Sequence, residues 1–234
     1  MTKRKDLGDF LEVLDKEDAQ ERGIEAHEGS FFAAAPDDAT MVARAREFDD
    51  IHKHWVRRDL WLKTVQRINK AKGAGIRLLT LPGQHLFEIK LYAKENLLGL
   101  QNNDDGEERL AVVGFETDPT VFGLLATAET KLLQLLRGDV LAALTEPQSS
   151  NGKVIRDHAP YDVINLDLTA NIATKNDGPY SPFLRGVREC FHIQGVQTGS
   201  WALMVTFRAG MVDTEPTVIQ DLEDFFQKNL QDHL

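Results

Sequence analysis

The chain is 234 residues long, 42% hydrophobic and 27% charged, with a net charge of −10 at pH 7. That size and balance predict a soluble globular protein with one large α/β domain, or one domain with a helical extension. The acid excess excludes a protein that simply coats nucleic acid. No apolar run approaches the roughly 18 residues of a membrane span, and Met1 to Asp6 lacks the apolar core of a signal peptide. A cytoplasmic protein without a membrane partner is the expectation. The single cysteine, Cys190, excludes an internal disulfide and a Cys-based zinc site, and reads as a packed thiol.

Residues 1–38 read as a loosely held arm, with a short amphipathic helix at Leu7, Phe10, Leu11 and Leu14. From Ala39 to Lys72 the apolar spacing is helical, carried by Met41, Ala45, Phe48, Ile51, Trp55, Trp61, Val65 and Ile68, with Gly73 and Gly75 ending it. Residues 1–75 thus form an N-terminal arm and helical extension, and residues 76–234 the main domain. Residues 53–77 hold eight Lys or Arg against the single acid Asp59, on a chain that is otherwise strongly acidic. That contrast nominates Arg57, Arg58, Lys63 and Arg67 to meet RNA or DNA phosphate, an acidic partner or the acidic body itself. A solvated helix face is the plainer reading. His52 and His54 are two apart, on different helix faces, and suggest no metal site.

Arg77 to Gly83 predicts the first strand and its turn, and Leu86 to Leu98 a helix. A polar loop over residues 101–108 precedes a second strand, Leu110 to Glu116, rich in Val and closed by an acid. Pro119, capped by Asp118, opens the next helix through Val121, Leu124, Leu125 and Ala128. Gly138 to Leu141 reads as a third, short strand, and residues 145–158 as loop. Tyr161 to Leu168 is the fourth strand and carries Asp167. Pro182 to Val196 is a helix, Trp201 to Phe207 a fifth strand, and Val218 to Leu230 a closing helix. Strands alternating with helices predict a Rossmann-like fold: a mostly parallel sheet with helices on both faces.

Acids at the carboxyl ends of such strands sit where open α/β sheets bind ligands. The order in which they occur, Glu116 after the second strand, Gly138-Asp139 after the next helix and Asp167 on the fourth strand, resembles the class I S-adenosylmethionine-dependent methyltransferase superfamily. Tyr161 to Asp167, followed by Gly178-Pro-Tyr180 and later Leu203 to Thr206, is similar to the layout of tRNA guanine-N2 dimethyltransferases. The resemblance spans about residues 78–230 and implies S-adenosylmethionine as cofactor and a nucleic-acid base as methyl acceptor. It implies that Glu116, with Asp118 second, takes the ribose hydroxyls, that Asp139 takes the adenine amino group, and that Pro82-Gly83 approaches the amino-acid part. Asp167 would face the acceptor and Tyr180 would stack on it.

The chain departs from that family at Leu79 to His85, which has one glycine and no acid, and at Asp167 to Asn171, which has neither proline nor aromatic. A second reading follows: an inactive methyltransferase-like scaffold or sensor subunit of a nucleic-acid-processing or defence complex. It would work beside a protein partner or by self-association, with its acids as helix caps. A third comes from Phe87-Glu88-Ile-Lys90, the Glu-x-Lys pattern of metal-dependent nucleases, which requires a strand. No metal-ligand motif or Walker loop is present.

Overall fold

A computed structural model of the chain describes residues 56–83, 86–103, 105–127, 131–171, 181–195, 199–208, 216–220 and 224. These residues fall into two compact units. The smaller holds residues 56–64 and 86–96, and the larger holds 65–83 and those from 97 onward. The division runs through the predicted helical extension and assigns residues 86–96 to the smaller unit. The predicted arm 1–38 lies outside the described residues, as do the first part of the 39–72 helix and most of the closing helix. Of that predicted helix, residues 218–220 and 224 are described and helical, as are residues 216 and 217 before it.

In the smaller unit a π-helical turn, Val56–Trp61, carries Arg57. Helix α2 (Phe87–Lys94) carries Glu88 and Tyr92. Arg57 Nε reaches Glu88 Oε1 at 2.5 Å, both side chains are buried, and the guanidinium lies 5.6 Å from the Phe87 ring centroid. The nuclease-like pattern therefore fails on geometry. It requires a strand, whereas a helix turns Glu88 and Lys90 to different faces, and Glu88 is already engaged by Arg57.

The larger unit is built on a six-stranded sheet. Helix α1 (Leu62–Lys72) precedes β1 (Leu78–Thr80), and β2 (Leu100–Asn102) precedes β3 (Glu108–Glu116). Then follow α3 (Pro119–Thr127), β4 (Leu132–Arg137), α4 (Val140–Thr145), α5 (Ser150–Asp157) and β5 (Val163–Asn171). Helix α6 (Pro182–Ile193) and β6 (Ala202–Arg208) complete the set. Five strands are parallel in the order β4-β3-β1-β5-β6. The sheet starts in its middle and grows first to one side and then to the other, which is the Rossmann-like order.

The odd strand is β2, antiparallel to the start of β3. Successive N–H groups of a strand point to opposite edges. Leu110 N–H goes to Lys131 O on the β4 side, so Ala111 N–H, which goes to Gly99 O, places β2 on the β1 side. An isolated parallel bridge between Ile76 and Leu98 agrees.

Strand residues alternate faces. One face presents Leu79, Val113, Phe115, Ile164 and Leu166, packed with Val140, Leu141 and Leu144 of α4, Ile155 of α5, and Phe183 and Cys190 of α6. Burial pushes the Cys190 thiol up to about 12, so it is a packed, protonated group. The other face buries Leu78, Val112 and Val163 completely. Both faces are thus apolar, as the Val- and Ile-rich runs predicted.

Three predictions are corrected. Gly138 to Leu141 is not a strand: the strand is β4, earlier in sequence, and Val140–Thr145 is helical. The stretch read as loop contains α5, whose N-cap Ser149 accepts from Gly152 N–H at 3.0 Å. The start of the predicted 101–108 loop belongs to β2, with Glu108 already in β3.

Candidate functional site

The strands end at unequal heights, and this shapes the carboxyl edge. Central β1 stops at Thr80, level with Gly114 of β3 and Asn165 of β5. Strand β3 continues to Glu116 and β5 to Asn171. A notch therefore opens above β1, at the switch point where α/β sheets take ligands. It is two strand spacings wide, roughly 9.5 Å. The segment after β1 turns toward β3: Pro82 is buried, and its Cγ would stand 3.2 Å from a Cβ at Gly114. Glycine on β3 thus lets the loop lie against the sheet. Gly83 follows at φ +58, exposed, with open space around it.

Glu116 ends β3 half-buried, beside Arg137 of β4. Its Oε1 accepts from Asp118 N–H at 2.9 Å, and Oε2 has no hydrogen-bond partner among the described residues. Asp118 Oδ1 accepts from the N–H groups of Thr120 and Val121 at 2.7 and 3.2 Å and caps α3 as predicted. Asp139 is exposed at the next strand end, and its Oδ1 accepts from Leu141 N–H at 2.8 Å as the N-cap of α4. Gly138 before it has φ +146, and Gly138 N–H reaches Glu116 O at 3.0 Å, so the two strand ends are tied together.

Across the notch, Asp167 is half-buried on β5, and its Oδ1 accepts from Thr206 Oγ1 of β6. The structure thus brings Pro82, Gly83, Glu116, Asp118, Asp139 and Asp167 to one edge of one sheet. Tyr180 lies outside the described residues. Sequence reasoning passed over Thr80 and Asn165. Their signal was present: each is a polar residue inside an otherwise apolar buried run.

The predicted phosphate-contacting residues divide. Arg57 is buried against Glu88, which removes it from any phosphate-facing role. The side chain of Arg58 lies outside the described set, as does Lys53. Lys63 is exposed, and so are Arg67 and Lys70, which share a face of α1 at i and i+3.

A hollow lined by Lys72, Arg77, Asp162 and Ser200 opens at the other end of the strands. There the buried Asp162 Oδ2 accepts from Lys72 Nζ and from Arg77 N–H, the latter at 2.7 Å. This carboxylate fastens the amino ends of β1 and β5, away from the edge where such sheets bind ligands. Among the described residues no group of three or more His, Cys, Asp or Glu is placed to hold a metal ion, and no helix is long and apolar enough to cross a membrane.

A family model described as PP_RS20740-like matches residues 51–233. The chain belongs to that family. The PP_RS20740-like match takes in every element from the π-helical turn to β6, and with them the whole notch. Its span leaves out residues 1–50. No curated protein matches the chain.

Proposed function

We propose that the larger unit is a methyltransferase-like domain that binds S-adenosylmethionine in the notch between β3 and β5 and serves methyl transfer to a nucleic-acid base. The supporting observation is the coincidence of a β4-β3-β1-β5-β6 parallel order with Glu116, Asp139 and Asp167 at its carboxyl edge. The donor set fits the group. Glu116 Oε2 is available to accept from a ribose diol, Asp139 retains Oδ2 for an amino group, and the open Gly83 turn admits close approach of a ligand to the backbone. When bound, the cofactor supplies the electrophilic methyl group. Asp167, held by Thr206, orients the acceptor's amino group and takes up the proton it releases. Exposed Arg67 and Lys70 meet nucleic-acid phosphate.

A second reading, a cofactor-blind scaffold in a larger nucleic-acid-processing or defence assembly, has its own support. Asp139 and Asp118 already work as helix caps, and Glu116 braces the turn before α3. Calorimetric titration with S-adenosylmethionine separates the two. The live-site reading expects saturable binding that falls about ten- to a hundredfold in Glu116→Ala, since a charged acceptor to a hydroxyl is worth roughly 1.5–3 kcal/mol. No heat from the intact protein, with Glu116→Ala only melting earlier, decides for the scaffold.

A further inference from the structure

Thr80 and Asn165 are Cα partners on adjacent strands, so their side chains leave the same face of the sheet side by side. They are 0% and 1% exposed. Among the described residues, Thr80 Oγ1 and both amide atoms of Asn165 have no hydrogen-bond partner. The same row continues through Gly114 and Leu135 on one side and Met204 on the other, none of which offers a polar side-chain group. One layer outward on that face stand Asp167 and Thr206, both half-buried.

Burying donors and acceptors without partners destabilises a fold, while apolar residues of the same shape there would be neutral or stabilising. Thr to Val and Asn to Leu are close to such replacements. A sheet centre that keeps two polar side chains against this cost, at the floor of the notch, breaks a packing rule where function usually breaks it. The pair has no net charge and offers both donors and acceptors. A group that both donates and accepts is matched by the pair, and the Asp167 carboxylate one layer outward on the same face favours a cationic donor within it.

We infer that Thr80 and Asn165 form the floor of the notch's ligand site and hold the zwitterionic amino-acid end of the bound ligand. The ligand's ammonium donates to Asn165 Oδ1 and Thr80 Oγ1, and its carboxylate accepts from Asn165 Nδ2–H. The group enters from the carboxyl edge, past Asp167 and Thr206, and the side chains over the floor part to admit it. This rests on the cofactor reading above, and it assigns the amino-acid end to side chains rather than to the Pro82-Gly83 backbone.

The test titrates S-adenosylhomocysteine, and separately 5′-methylthioadenosine, which has the same nucleoside without the amino-acid end. Both are titrated into the intact chain, Thr80→Val, Thr80→Ser and the double variant Thr80→Val/Asn165→Leu, each with a thermal melt. The expected result is a double variant that melts higher than the parent and binds S-adenosylhomocysteine at least tenfold more weakly. It binds methylthioadenosine unchanged, and Thr80→Ser behaves as the parent. Unchanged S-adenosylhomocysteine affinity in both Thr80→Val and the double variant overturns the inference and leaves the cofactor reading standing. An equal loss for both nucleosides also overturns it, because the damage is then not at the amino-acid end. A double variant that fails to fold leaves the decision to Thr80→Val, whose selective loss supports the inference. A parent protein that binds neither nucleoside overturns the cofactor reading and this inference with it.

Discussion

Ile164 is fully buried near the start of β5, between Leu79 of β1 and Leu203 of β6, and it faces the apolar side covered by α4, α5 and α6. Ile164→Asp places an unpaired charge there and is expected to cost about 3–5 kcal/mol, read from the urea midpoint. Cys190 on the same side gives a pH signature. Its thiol, ordinarily near 9.0, is raised to about 12 by burial, and burial also raises the hydroxyl of Tyr161, which donates to Ile155 O at 2.9 Å. With rising pH the unfolded chain gives up these protons before the folded one does. The stability they contribute is complete below about pH 9 and is lost progressively toward pH 12. Urea midpoints at increasing pH should fall from pH 9 upward, and Cys190→Ala should flatten that decline; an identical slope in both proteins would remove Cys190 as a cause. At this scale the sequence was most legible where chemistry and pattern agreed, as with Cys190 and the Asp118 cap. It misled at Arg57, where a basic run concealed one arginine turned inward onto Glu88, because a charge pattern does not encode which residue finds a buried partner.

The elements themselves were legible wherever length and composition pointed the same way. Strands β3, β5 and β6 and helix α6 lie within a few residues of their predicted spans. Strand β4 was missed because Leu132-Leu-Gln-Leu-Leu suits a helix as well as a strand, and a short leucine-rich run has no β-branched residue to decide between them. Helix α5 hid behind Ser149, Ser150 and Gly152, which read as loop until Ser149 is seen as the cap. Asp139 is the same lesson applied to the site: the residue that marks a ligand contact by position also starts a six-residue helix. Asp139→Ala should therefore lower stability by about 1 kcal/mol even without ligand, measured by thermal melt. A larger effect is expected where β2 meets the start of β1. A Cβ at Gly75 would stand 2.5 Å from Gly99 Cα and N, backbone atoms that cannot swing aside. Gly75→Ala should cost about 1–3 kcal/mol and speed amide exchange at Ala111, whose N–H bonds Gly99 O.

For the whole chain, the net charge of −10 sets a background against which any nucleic-acid contact must work. If the proposed contact is confined to Arg67 and Lys70, two phosphate contacts imply that oligonucleotide binding weakens about tenfold between 50 and 200 mM salt. Reversing both charges, Arg67→Glu/Lys70→Glu, should abolish it at low salt without moving the melting temperature by more than a degree or two; retention of binding would place the contact elsewhere. The three-residue β1 has a consequence for how the protein is made. The strand at the centre of the sheet is the first to be synthesised, yet its ladder partners at Gly114 and Asn165 come much later. On the ribosome, Leu78 and Leu79 wait, with one edge unpaired until β3 emerges and the other until β5 does. Both ladders of this strand close over long sequence separations, which slows folding. Chains cut before Val163 should accordingly partition to chaperones or aggregates rather than to a smaller soluble domain.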